Sequence, residues 1–152
     1  MLEEEYDEQD LKESVVTRVI TEIEKSSKQY QKNLTENAYN RLFAMVIQTV
    51  VGDFEKLILK LRFNQLGAML LDKHIRTLSS YLTNSSSWSS RDRFTKLTQI
   101  STLLNMEKAQ EIYEYWGNKS GALTWRLNAN EVRQILALRV EFKTDDINKL
   151  KL

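Results

Sequence analysis

The chain has no cysteine, no proline, four glycines and one histidine in 152 residues. Without cysteine there are no disulfides and no thiolate chemistry, and a transition metal would have to rely on carboxylates and a lone imidazole. Proline costs ~3 kcal/mol inside a helix, and proline and glycine together punctuate loops. A chain so poor in both therefore reads as helical throughout. No apolar run approaches the ~20 residues that span a bilayer as a helix. The start, MLEEEYDEQD, is acidic and polar, the reverse of a secretory signal, so a soluble chain is expected. An excess of one charge is missing too: 22 basic residues face 21 acidic ones, for a net charge of +1. That balance provides no global field for nucleic acid or acidic membranes, so partners must be recognised by shape.

Reactive constellations are equally scarce. His74 stands among Asp72, Lys73 and Arg76 and reads as a surface histidine. The serines lack a nucleophile-elbow motif, and His74 alone would have to supply any imidazole base, which argues against a triad. There is no glycine-rich phosphate loop. The acidic leader lacks the glycine turn of a calcium loop and reads as a solvated helix start. Arg91, Arg93, Lys96, Arg126, Arg133, Arg139, Lys143, Lys149 and Lys151 concentrate in the second half, but interleaved acids neutralise any basic stripe. The expectation is a chain with no catalytic residue, no metal and no cofactor. Three glycosylation triplets, at Asn33, Asn84 and Asn118, read as chance occurrences in a chain without a signal peptide.

What is abundant is helical periodicity. Leu11, Val15, Val16, Val19, Ile20 and Ile23 recur at helical spacing from Asp10 to about residue 32. Thr35 is placed to cap a second helix, lined by Tyr39, Phe43, Val46, Ile47, Val50, Phe54, Leu57, Ile58 and Leu61, with Gly52 suggesting a close approach. Phe63, Leu66 and Gly67 read as a turn. A third helix, starting between Ala68 and Asp72, carries Leu71, Ile75, Leu78 and Leu82. The polar run NSSSWSS, 84–90, is the best internal boundary, although Trp88 within it should seek burial. Ser89 and Asp92 have capping-box spacing and open a fourth helix, whose inner face is Phe94, Leu97, Ile100 and Leu104. Asn105 is expected to cap a fifth helix with Met106, Ala109, Ile112, Tyr113 and Trp116 on its face, ended by Gly117. No fixed-period repeat is visible.

The last thirty residues are the most informative. Asn128 and Glu131 stand three apart before an apolar run, so a helix should begin at Ala129, with Val132, Ile135, Leu136 and Leu138 inward and Arg133, Gln134 and Arg139 facing largely elsewhere. Thr144, with Asp145 and Asp146, reads as the cap and acidic first turn of a terminal helix.

LTWRL at 123–127, EVRQ at 131–134, ALR at 137–139 and KLKL at 149–152 together resemble the extreme C-terminus of one family, the fourth subunit of the conserved oligomeric Golgi complex. The likeness extends through FNQLGAMLLDKHIRTLSSYLT (63–83), RDRFTKLTQISTLLN (91–105) and EIYEYWGNKSGALTW (111–125), and is continuous from about Leu34 onward. Two departures stand out: relatives often carry proline near Ala122 and Ala129, and arginine where this chain has Lys96. The resemblance implies a portion of a much larger, peripheral subunit of a vesicle-tethering complex on the cytosolic face of the Golgi. Such a subunit is built as a helical rod and supports retrograde intra-Golgi traffic, with other complex subunits and SNARE machinery as partners. The short apolar runs and the balanced charge already argue for no transmembrane segment and no nucleic-acid partner.

The reading is an all-α protein of about seven helices: an antiparallel helical bundle portion over residues 1–84, incomplete upstream, followed by a small C-terminal helical domain over 85–152. Missing upstream packing would expose apolar surface near Val16 and Ile20. Lys96 and Glu131 are expected to form an ion pair holding the terminal hairpin, with two independent surface charges as the alternative. Trp125, Arg126, Arg133 and Arg139 form the candidate interaction surface, tryptophan and arginine being frequent anchors of protein contacts. For the tryptophans, filling the joint between the helical groups is the simpler reading. The function expected is scaffolding without chemical turnover. The alternative is a freestanding helical adaptor that binds an amphipathic helix of a partner in an apolar cleft.

Overall fold

A computed structural model describes residues 15–85, 91–120 and 124–152, and within them the regular structure is helical, as the composition demands. The order is α1 (Val15–Gln31), α2 (Glu36–Ile58), α3 (Gln65–Asn84), α4 (Arg91–Leu104), 3₁₀ segments at Ala109–Glu114 and Gly117–Lys119, α5 (Ala129–Leu136) and α6 (Thr144–Asn148). Among the described residues, the one extended pairing is an isolated parallel bridge between Phe63 and Arg139. The acidic leader, Leu11, Trp88, Ser89 and residues 121–123 lie outside the described residues.

Helix α2 begins where Thr35 Oγ1 accepts the Ala38 amide at 3.3 Å, and it turns Phe43, Ile47, Val51 and Ile58 inward. A Cβ added at Gly52 would meet nothing within 4 Å, so no close approach explains that glycine. Helix α1 packs on both α2 and α3, which buries Val16 and half-buries Ile20 and Ile23. In the stretch near Val16 and Ile20 where apolar exposure is expected, Val15 and Val19 are exposed, whereas Val16 is buried and Ile20 half-buried. Among the described residues the most extensive contact joins α3 to α4, and α4 also packs on α2 and α5. One buried cluster runs from Val16 through α4 to Leu150, and α3 ends at Asn84, beside the expected boundary.

Three helix starts differ from the sequence reading, two of them for a hydrogen-bonding reason. Helix α3 begins at Gln65 rather than near Ala68–Asp72, because the Asn64 side chain accepts the Gly67 amide at 2.7 Å. Leu66 and Gly67 therefore lie in its first turn. Asn105 caps no helix: its amide donates backward to Ala68 O at 3.0 Å and Ser101 O at 2.9 Å, closing α4 against α3. The fifth helical segment is a 3₁₀ turn started by Glu111, whose carboxylate accepts the amides of Glu107 and Lys108. Gly117, at φ +64°, sits in the left-handed region that favours glycine, but it opens a second 3₁₀ turn. At α6, Thr144 is the first helical residue and Lys143 occupies the cap position, with Asp145 and Asp146 in the first turn. Helix α5 does start at Ala129: Asn128 Oδ1 accepts the Glu131 amide and Glu131 Oε2 accepts the Asn128 amide, both at 2.9 Å.

Candidate interaction surface

Helix α4 turns Phe94, Leu97, Ile100, Leu103 and Leu104 inward. Lys96 lies at the edge of that row, in the seam between α2 and α5. Its Nζ is 3.1 Å from Glu131 Oε1 and 4.0 Å from Glu55 Oε2, so one ammonium faces a carboxylate from each neighbouring helix. The Asn128 amide first, and Lys96 second, hold the Glu131 carboxyl below its ordinary range. Desolvation pushes Glu55 up; Lys96 opposes that shift and Glu131 adds to it. Glu55 is the third member of this group, which sequence reasoning missed because α2 periodicity gives no sign that an intermediate position meets α4.

Of the four residues expected on one surface, Arg126 is exposed, Trp125 and Arg133 are half-buried and Arg139 is buried. Arg126 is exposed and shares a groove of about 510 Å³ with Asp92, Arg93 and Lys96. Its main chain is fixed from beneath: buried Gln99 accepts the Arg126 amide and donates to Thr124 O, each at 2.8 Å. Trp125 is half-buried; its indole donates to Tyr115 O at 2.7 Å, and its ring tilts against Trp116 at 5.3 Å between centroids. Arg133 is also half-buried and donates to Leu150 O at 2.9 Å, tying α5 to the chain end.

Arg139 is not a surface residue at all, being only 3% exposed. Its guanidinium donates to the carbonyls of Leu104 and Met106, pairs through Nε with Glu141 Oε2 at 2.9 Å, and lies over the Phe142 ring. The physical reason is the end of α4, whose last carbonyls have no partner within the helix. Glu141 in turn accepts the Gln65 amide at 2.9 Å at the start of α3. A surface arginine is the default in sequence reasoning, and only the tertiary placement of α4 reveals this role.

His74 also departs from expectation: it is 7% exposed, inside α3 rather than on its surface. Burial pushes its imidazole below the ordinary value, and Lys73 adds to the shift. A second concavity, of about 490 Å³, opens between α3, the end of α4 and the first 3₁₀ turn, with Met69, Met106 and Tyr115 among its walls. No motif marks it, because its walls come from three separate elements.

Among the described residues no group of three or more His, Cys, Asp or Glu side chains could hold a metal ion, and comparison with known proteins gives the chain a family. A family model described as Conserved oligomeric Golgi complex subunit 4, C-terminal, matches residues 1–134. The chain belongs to that family. Conserved oligomeric Golgi complex subunit 4 of Homo sapiens is 40% identical over 150 residues, which cover 99% of this chain and 19% of the relative. The Arabidopsis thaliana protein of the same name is 39% identical over 152 residues, covering 100% and 21%. That of Dictyostelium discoideum is 34% identical over 148 residues, covering 97% and 16%. The chain thus spans about a fifth of the length of the curated relatives it matches, and it corresponds to their C-terminal part.

Proposed function

We propose that the chain is a non-enzymatic scaffold segment of a Golgi vesicle-tethering complex subunit, acting in retrograde intra-Golgi transport through protein contacts. Family membership over residues 1–134 carries this reading. The all-helical architecture is compatible with that reading. On this reading residues 1–84 form the end of a helical rod and residues 85–152 a terminal domain built on it. Its partners are other subunits of the complex, with SNARE machinery engaged through the assembly. It associates peripherally with the cytoplasmic face of the Golgi membrane; no helix among the described residues is long and apolar enough to cross a membrane.

Within the candidate surface, Arg126 is the residue whose side chain is free to meet a partner. Trp125, Arg133 and Arg139 stay candidates only through what they position. The test is affinity capture with the tagged chain from a Golgi-containing extract, followed by immunoblotting for the other subunits. Wild type should retain them, and Arg126→Glu should reduce retention without changing the circular dichroism spectrum. Failure of the wild-type chain to retain any subunit would remove the reading.

The second reading, a freestanding adaptor for a partner's amphipathic helix, draws on the concavity between α3 and α4. It predicts binding of a helical peptide by a chain that retains no complex subunit.

A further inference from the structure

We infer that the groove where the start of α4 meets Arg126 is a docking site for an acidic segment of a partner protein, held by Arg93 and Arg126. This inference rests on the scaffold reading and names the chemistry of the partner such a scaffold would hold.

The groove, of about 510 Å³, is walled by Asp92, Arg93, Lys96 and Arg126, three cations against one carboxylate. Not all of that charge faces outward. Lys96 Nζ is engaged by Glu131 at 3.1 Å and by Glu55 at 4.0 Å. Asp92 lies in the first turn of α4, a helix of 14 residues, where the positive end of the helix dipole offsets its carboxylate. What remains is a pair of exposed guanidiniums. Arg93 Nη1 donates to Gln48 Oε1 at 3.3 Å, a neutral acceptor that steadies the side chain without cancelling its charge. Among the described residues neither Arg93 nor Arg126 has a carboxylate within ion-pair distance.

An unpaired surface arginine is ordinary, but these two flank one concavity and each rises from a fixed stretch of main chain. Phe94, next to Arg93, is 2% exposed, and Leu127, next to Arg126, is 4% exposed. Gln99 grips the Arg126 main chain further, accepting its amide and donating to Thr124 O. Little backbone order is therefore left to lose when a ligand arrives. A guanidinium offers planar N–H donors that match a carboxylate in pairs, so the natural occupant brings two carboxylates, one for each arginine. The Asp92 carboxylate on the same walls narrows the choice. It repels a third acid and favours a hydroxyl, an amide or a lysine in that place, a mixed pattern that a peptide can supply. A uniformly anionic lipid surface would meet Asp92 as well, and two basic side chains fall short of the roughly four to eight that mark lipid recognition.

The test is calorimetry on the full chain at low ionic strength, where screening is weakest. The probe is a short synthetic peptide of alternating glutamate and serine, with glutamine in place of glutamate as its control. The glutamate peptide is expected to bind at least about tenfold more tightly than the control. Arg93→Gln and Arg126→Gln should each weaken it about fivefold at an unchanged unfolding midpoint, since both side chains are exposed. Arg18→Gln, exposed on α1, removes the same charge elsewhere and should leave the affinity unchanged. Equal affinity for the two peptides, an equal loss in Arg18→Gln, or binding to phosphatidylserine vesicles in place of the glutamate peptide would each overturn the inference. A chain that retains complex subunits in the capture experiment yet ignores the glutamate peptide loses this inference and keeps the scaffold reading.

Discussion

Helix α1 runs for 17 residues and buries one of them, Val16, whereas α5 runs for eight and buries three, Val132, Ile135 and Leu136. The two ends of the molecule are held by different means. At the α1–α2 end, long helices satisfy their own backbone groups, and their caps are local, as at Thr35. From α4 onward the elements are short, and an eight-residue helix is far below the length that is stable alone in water. Their order comes from bonds that cross the sequence: Arg139 to the end of α4, Gln99 to residues 124 and 126, Arg133 to Leu150, and Tyr113 Oη accepting the Lys151 amide at 2.8 Å. The lesson is that regularity and tightness are separate properties here, and the irregular end is the one whose individual side chains matter.

The sharpest way to break this contrast is Arg139→Met, which leaves the carbonyls of Leu104 and Met106 without that donor and the Glu141 carboxylate with the Gln65 amide but no ion pair. A loss of about 3 kcal/mol is expected in urea unfolding, from buried acceptors that cost about 1–3 kcal/mol each when left unmade. A loss under about 1 kcal/mol would show that the end of α4 tolerates water in its place. Gln99→Leu should follow, at about 2 kcal/mol, because it removes both bonds that fix the 124–126 backbone. Its signature beyond stability is a red-shifted emission from Trp125, whose position depends on that backbone.

At the regular end the predicted effects are smaller and one has the opposite sign. Gly52→Ala should stabilise the chain by about 0.5–1 kcal/mol, since the site is helical and open. A destabilised variant would mean that α2 is packed there by something other than the described residues. The smallest effect joins the two ends: a Lys96→Ala and Glu131→Ala double-mutant cycle should give a coupling of about 0.5 kcal/mol, as for partly exposed pairs. Because the folded Glu131 carboxyl titrates below its ordinary range, that coupling is complete above the unfolded value of about 4.3 and fades as pH falls through the lower folded value. No coupling at neutral pH would leave two independent surface charges.

How much of this was legible in the sequence follows the same division. The α2 stripe, its Thr35 cap and the Asn128–Glu131 box all lie within a few residues of what they act on, and period and spacing reveal them. Lys96 and Glu131 are paired by the sequence reading, and their Nζ and Oε1 stand 3.1 Å apart. Arg139, Gln99, Asn105 and His74 were not legible, because each is a polar residue whose role is set by an element remote in sequence. Asn105 looks like a cap to the segment after it but serves the helices before it. The cleft between α3 and α4 was invisible for the same reason. Sequence spacing speaks to neighbours along the chain, and concavities are made by strangers.

The guanidinium beneath α4 also has a consequence in time. A chain emerges from the ribosome in order, and the donor that closes Leu104 O is separated from it by 35 residues of later synthesis. Until Arg139 arrives, α4 ends in unmet carbonyls and α3 lacks the Glu141 carboxylate at its first turn. Those two closures between α3 and α4 are therefore among the last that synthesis makes available, and until then water takes the place of both partners.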